Sequence, residues 1–227
     1  MPTSDAVPSI STATHTISTP THGRYLVAPA NIPGPAPILV GFHGYGEHAE
    51  RHLSDLNSIP GAEGWLRVAV QGLHRFYSNS GTHVVASWMT RQDRELTIAN
   101  NVAYVNAVVR SVKVTYDTAD TIVYCGFSQG VAMAYRAAAR SHHVCRGIVA
   151  LAGDVPPELK NDRTIVWPPV LIGRGKTDEW YTQDKMDTDL KFFRSTGTTI
   201  ESLVFEAGHE WTDDFRQHVG RFLTARR

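Results

Sequence analysis

Residues Gly126-Phe127-Ser128-Gln129-Gly130 stand between a run that reads as a strand and a run that reads as a helix. Upstream, Thr121-Ile122-Val123-Tyr124-Cys125 is β-branched and aromatic, the composition of a buried strand. Downstream, Val131-Ala132-Met133-Ala134-Tyr135-Arg136-Ala137-Ala138-Ala139 is dominated by strong helix formers. Strand, Gly-x-Ser-x-Gly and helix, in that order, describe a strained turn that holds a serine hydroxyl clear of a sheet. The two glycines leave room for close backbone approach. Ser128 is therefore the candidate nucleophile. The rest of the chain must then supply a base, an orienting acid and donors for a developing oxyanion.

Outward from this turn, the chain alternates strands with helices. Ile38-Leu39-Val40-Gly41-Phe42 is a continuous apolar run, as expected in a sheet covered on both faces. Residues 66–70, 147–152, 168–172 and 198–205 read as further strands. Helices are predicted up to about Leu56, from about Asp93 to Val112, from Gln183 to Ser195 and from Thr212 to Thr224. In the second of these, Leu96, Ala99, Ala103, Ala107 and Val108 are read as one face. This alternation predicts an α/β fold with a mostly parallel central sheet and helices on both faces. Thr14–Thr19 and Gly23–Ala28 alternate around Pro20 and predict an antiparallel N-terminal hairpin. Residues 1–13, rich in Ser, Thr and Pro, predict a loosely ordered tail before a single domain over 14–227. The aromatic stretch from Gln71 to Thr90 has no clear period, and long irregular segments in compact domains are often functional.

Composition narrows the function classes. Lys+Arg and Asp+Glu both total 22, so there is no net basic field for nucleic acid and no polybasic run for an anionic membrane. Apolar and charged contents of 42% and 19% are those of an ordinary globular chain of 227 residues. The two cysteines, Cys125 and Cys145, fall in or beside buried strands and are expected as reduced thiols. No apolar run reaches membrane-spanning length, so no stable membrane insertion is expected. Met1-Pro2-Thr3-Ser4-Asp5-Ala6 carries no basic cluster ahead of an apolar stretch, which makes the cytoplasm the expected compartment.

In such a sheet, ligands and reacting groups gather beyond the carboxyl ends of the strands. His209 follows the last predicted strand and is the candidate base, the alternative being a cap on the closing helix. Asp178 follows strand 168–172 in Gly175-Lys176-Thr177-Asp178 and is the first candidate acid. Asp154, after strand 147–152, is its rival. The order Ser128, Asp178, His209 is that of the α/β hydrolases, and Asp154 would satisfy it equally. Oxyanion donors are expected from the backbone amides of Gln129, at a helix N-terminus, and Tyr45, in His43-Gly44-Tyr45-Gly46. The His43 side chain reads as structural, since it precedes the serine in sequence.

Gly126–Gly130, His43–Gly46, Gly175–Asp178 and Gly208-His209 together resemble the carboxylesterase, acyl-protein thioesterase and lysophospholipase branch of the α/β-hydrolase superfamily. The likeness runs from about residue 23 to the C-terminus. It departs at Val131, where that branch commonly has glycine, at Glu47, where it has aspartate, and at Glu179-Trp180-Tyr181. The resemblance implies a serine carboxylesterase acting through an acyl-enzyme, and an aromatic wall to its site would suit short-chain or aryl esters. Acyl-protein thioesterase or lysophospholipase activity, acyl transfer to an alcohol and a non-catalytic ligand-binding role are its alternatives. It implies a small-molecule ester as partner, a homodimer as a possible assembly, and no cofactor or metal. Asp154–Trp167 leaves no room for a large cap domain. Trp88, Met89, Phe76, Tyr77, Tyr45 and Trp180 are the candidate substrate wall, each with core or loop packing as its alternative. Two features suggest decoys. Gly175-Lys176-Thr177 lacks the earlier glycine of a phosphate loop, Val170 standing there. Arg91, Asp93, Arg94 and Glu95 read as a helix start, with a place at the pocket mouth as the second reading.

Overall fold

The computed structural model describes residues 12–227, so most of the expected tail, residues 1–11, lies outside the described residues. The elements run β1 (Arg24–Ala28), β2 (Ala36–Phe42), α1 (Ala49–Asn57), β3 (Leu66–Gln71), β4 (His74–Tyr77) and β5 (Val84–Ser87). They continue α2 (Arg94–Thr115), β6 (Thr118–Phe127), α3 (Gln129–Arg140), β7 (Cys145–Leu151) and α4 (Pro157–Lys160). The chain closes with β8 (Val170–Gly175), α5 (Gln183–Ser195), β9 (Ile200–Phe205) and α6 (Asp213–Thr224). Among the described residues seven strands form one sheet in the order β1-β3-β2-β6-β7-β8-β9. All its pairings are parallel except β1 with β3. This is the expected mostly parallel α/β sheet.

Strand alternation divides the core between the two faces. Ile122 and Tyr124 of β6 pack on one side with Val105 of α2, Met133 of α3 and Phe193 of α5. Val123, Cys125 and Phe127 pack on the other with Leu56 and with Phe215 of α6. Each fully buried side chain of this size stabilises the fold by roughly 1.5–3 kcal/mol. Both faces must therefore be covered, which is why β2, β6, β7 and β8 read as apolar runs rather than as alternating patterns. Cys125 and Cys145 are free thiols, as expected.

Three details differ from the sequence reading. The first arm of the N-terminal hairpin, Thr14–Thr19, forms no strand; β1 lies antiparallel to β3 instead, with Tyr25 opposite Val70. Within 14–19 only Ile17 is apolar, and it is 88% exposed, so ordering that arm would bury almost nothing. In α2 the Leu96 and alanine face points outward, while Ile98, Asn101, Val105, Val109 and Val112 are buried. The inner face was concealed by Asn101, whose Nδ2 donates to the Trp88 carbonyl at 2.6 Å. The aperiodic stretch after Gln71 contains the β4–β5 hairpin, His74 opposite Ser87.

The sheet order reverses between β2 and β6, which are neighbours although three strands separate them along the chain. That switch point places the loop after β2 beside the turn after β6.

Candidate active site

The turn after β6 is built by close approach. A Cβ on Gly126 would lie 2.4 Å from the Gly130 carbonyl oxygen, and one on Gly130 would lie 2.0 Å from that of Phe42. Only glycine lets α3 leave β6 so sharply while pressed on the end of β2. Ser128 takes φ 53° and ψ −119°, a strained conformation for a side-chain-bearing residue. It is fixed by its amide on the Leu151 carbonyl, 2.9 Å, and its carbonyl on the Val131 amide, 3.0 Å. Its Oγ lies 2.7 Å from His209 Nε2.

His209 is delivered by the loop after β9, and its ring packs beside Phe127 at a centroid distance of 5.1 Å. Nδ1 lies 2.8 Å from Asp178 Oδ2. The other carboxyl oxygen of Asp178 accepts the Trp180 and Tyr181 amides at 2.8 and 2.9 Å. The Asp178 carboxylate is thus fully buried but fully partnered, while a quarter of the His209 side chain meets solvent (24%). With Oδ2 as an acceptor, Nδ1 carries the ring proton and Nε2 is left free to accept one from the Ser128 hydroxyl. Asp154 reaches the same cavity but makes no hydrogen bond to the imidazole. Of the two candidate acids, geometry joins Asp178 to His209.

A second network holds the surroundings of Ser128. His43 is completely buried; its Nε2 accepts the Gly72 amide at 3.0 Å, and its Nδ1 lies 2.7 Å from the Gly44 carbonyl. These partners require one neutral tautomer, and burial lowers its pKa to about 4. The Trp88 indole donates to the His43 carbonyl at 2.9 Å. The Gln129 side chain completes the frame, accepting from the Trp88 amide at 2.9 Å and donating to Ser87 Oγ at 3.0 Å. In the loop after β2, Glu47 Oε2 accepts the Gly44 amide at 2.8 Å. Among the described residues the Tyr45 and Gln129 amides, the expected oxyanion donors, are bonded to no other group. Both residues line the cavity that contains Ser128 and His209.

That cavity measures about 550 Å³. Of the expected wall, Tyr45, Trp88, Met89 and Trp180 line it. Phe76 and Tyr77 do not: Phe76 stacks on Tyr45, ring centroids 5.5 Å apart, and Tyr77 points from the β4–β5 hairpin into solvent, 70% exposed. Trp88 is 1% exposed and belongs to the core as much as to the wall. The sequence reading missed Arg136 and Lys185 on the cavity wall; Arg91 and Arg94 also line it, as their second reading at the pocket mouth expected. Arg136 was signalled by spacing alone, since Ser128, Ala132 and Arg136 recur every four residues along one side of α3. Glu158 binds Arg136 through one oxygen, 2.9 and 2.7 Å, and Arg94 through the other, 2.8 Å. Burial opposes its ionisation, but these guanidinium contacts prevail and hold its pKa at about 2.

Two groups of contacts hold the loop that carries Asp178. Arg174 of β8 donates to the Tyr181 carbonyl at 3.0 Å, and the Tyr181 hydroxyl donates to the buried Asp189 at 3.0 Å. Asp189 pairs in turn with Lys160 at 2.6 Å.

A parallel sheet with one antiparallel edge, and a serine turn at its switch point, define an α/β hydrolase. The phospholipase/carboxylesterase family model matches residues 82–226, well over half the chain, and the chain belongs to that family of ester hydrolases. The match includes Ser128, Asp178 and His209 but not the loop at Tyr45. Among solved structures, the Bacillus cereus carboxylesterase superposes with a TM-score of 0.71 at 15% identity, covering 90% of this chain and 95% of that one. Esterase PE8 gives 0.71 at 20% identity, covering 91% and 100%. SOBER1 of Arabidopsis thaliana gives 0.69 at 16% identity, covering 84% and 98%. At these identities the likeness is one of fold. No curated protein sequence matches the chain. No helix among the described residues is long and apolar enough to cross a membrane.

Proposed function

We propose that this ester hydrolase is a serine carboxylesterase cleaving small carboxylic esters through an acyl-enzyme. The observation that carries the reading is the unbroken hydrogen-bonded chain from Ser128 Oγ through His209 to Asp178, at 2.7 and 2.8 Å. A serine hydroxyl becomes an effective nucleophile only when a base removes its proton as it attacks. In the proposed reaction Ser128 Oγ bonds to the ester carbonyl carbon and its proton passes to His209 Nε2. The oxyanion of the tetrahedral intermediate takes the Tyr45 and Gln129 amides. Collapse breaks the bond to the alcohol oxygen, which receives the proton from His209. Water then attacks the acyl-enzyme by the same route and releases the acid. Asp178 keeps Nδ1 protonated and offsets the imidazolium charge throughout.

The test is Ser128→Ala against a short p-nitrophenyl ester, with labelling by a fluorophosphonate probe. Turnover is expected to fall at least about a thousandfold with circular dichroism unchanged, since loss of a triad member leaves only binding and oxyanion stabilisation. Labelling is expected to vanish. Persisting turnover would remove the mechanism, and a folded wild-type protein that neither turns over esters nor labels would favour a ligand-binding role.

A further inference from the structure

The aromatic residues expected from the sequence are only part of this cavity's lining, which also carries four cationic side chains. Arg91, Arg94, Arg136 and Lys185 all line it, in a chain whose total charge is zero. Facing them are Asp154 on the wall and Glu158 behind it, with the Glu95 carboxylate on Arg94 standing mostly in solvent, 78% exposed. Glu158 is spent on two guanidinium groups at once, so that trio keeps a positive surplus. Arg136 is the decisive residue. Its side chain is only 3% exposed, Nε and Nη2 are both on Glu158, and Nη1 has no partner among the described residues although the residue borders the cavity. Arg91 makes no ion pair among the described residues, and Lys185 meets only the Trp180 carbonyl. A buried guanidinium with an unspent donor, on a residue that borders a cavity, is suited to an oxyanion.

We infer that the substrate carries a second, ionised group, a carboxylate or phosphate a few bonds from the scissile carbonyl, which Arg136 receives with Arg91 and Lys185 at the rim. Distance along α3 supports this. Eight residues of rise separate Ser128 from Arg136 by about 12 Å, and an arginine leaning toward the helix N-terminus recovers about half of that. The remaining gap of about 6 Å spans a short chain, not a long lipid tail. The inference rests on the esterase reading but concerns specificity, and its test separates the two.

Two arms distinguish the source of the anion. One compares the p-nitrophenyl monoester of glutarate with neutral p-nitrophenyl valerate, which places the charge on the acyl side. The other compares acetylated glycerol phosphate with acetylated glycerol, which places it on the leaving group. In at least one arm the wild-type ratio of kcat/KM, anionic over neutral, is expected to exceed about ten at low salt and to shrink as salt rises. Arg91→Ala with Lys185→Ala, and separately Arg136→Met, are expected to bring that ratio down at least severalfold. The rim pair carries the test should Arg136→Met fail to fold. Calorimetric binding of monomethyl glutarate against methyl valerate to the Ser128→Ala protein repeats the comparison without turnover. Ratios at or below one in both arms, or ratios unmoved by both substitutions, overturn the inference even if Ser128 proves to be the nucleophile. A wild-type ratio above ten with Ser128→Ala still active would leave the subsite standing and remove the serine mechanism.

Discussion

Asp178→Asn tests the role proposed for Asp178. Its Oδ1 accepts two amides, from Trp180 and Tyr181, while Oδ2 faces His209 Nδ1. An asparagine there must choose an orientation. Turning its NH2 toward the two amides would set donors against donors in a buried site, at about 1–3 kcal/mol for each group left unsatisfied. The carbonyl therefore stays on the amides and the NH2 faces the imidazole. Nδ1 must then accept, the proton moves to Nε2, and the ring can no longer take a proton from Ser128 at 2.7 Å. Holding a histidine in the wrong tautomer in a serine triad costs about 10⁴ in kcat, or about 5.5 kcal/mol in the barrier. Initial rates on a short p-nitrophenyl ester, with thermal melts as a folding control, are the assay. A loss of about 10³–10⁴ with Tm within a few degrees of wild type is expected. Asp154→Asn should cost less than tenfold. If Asp178→Asn stays within tenfold of wild type, or Asp154→Asn is the more damaging, the assignment of the acid is wrong.

Buried neutral histidines should make stability acid-sensitive. Burial lowers the His43 pKa to about 4 and that of the fully buried His52 to about 3, so the unfolded chain takes up protons at these sites first. Stability is then complete above about pH 6.5 and falls below it, by about 1.4 kcal/mol per pH unit for each histidine until its folded pKa is reached. Denaturant titrations of His52→Leu should show a slope between pH 6 and 4 that is shallower by one histidine's share; an unchanged slope would contradict the argument. At the turn, Gly130→Ala drives a Cβ to 2.0 Å from the Phe42 carbonyl, which is sheet backbone and cannot rotate away. About 3 kcal/mol of destabilisation, or about 6–12 °C in Tm, is expected, and a melt within 2 °C of wild type would show that β2 and α3 yield more easily than the contact implies.

The legible part of this protein was local. Ile122–Phe127 is apolar on both sides of the strand because helices cover both faces, and Gly126 and Gly130 are forced by backbone approach, so the turn can be read from a dozen residues. Ser128, Asp178 and His209 each follow a strand, and a parallel sheet brings strand ends to one rim wherever they lie in sequence. What stayed hidden depends on contacts between distant segments. Asn101 on the inner side of α2 looks like a solvent residue until the Trp88 carbonyl is found opposite it. The Glu158 pairing with Arg94 and Arg136 spans 64 and 22 residues, a distance at which no local periodicity operates. Phe76 and Tyr77 fit an aromatic wall by composition, but the β4–β5 hairpin turns Tyr77 to solvent and spends Phe76 on Tyr45.

Ser128 and Asp178 are held by separate frames. On one side, Gly72, His43, Trp88 and Gln129 tie the ends of β2, β3 and β5 to the start of α3. On the other, Arg174, Tyr181, Asp189 and Lys160 tie β8 to α5 and α4. No hydrogen bond or ion pair among the described residues joins the side chains of one frame to those of the other. His209 hydrogen-bonds to both Ser128 and Asp178, on a loop anchored by the Ala207 carbonyl, which accepts the Thr177 amide and hydroxyl at 3.0 and 2.9 Å. Substitutions in different frames share no partner, so their effects on stability should add, within about 0.5 kcal/mol. Their effects on turnover should not, because each frame matters only through the position it gives to one end of the same imidazole. Once either end is misplaced the proton transfer is already lost, and disturbing the second frame has little left to remove.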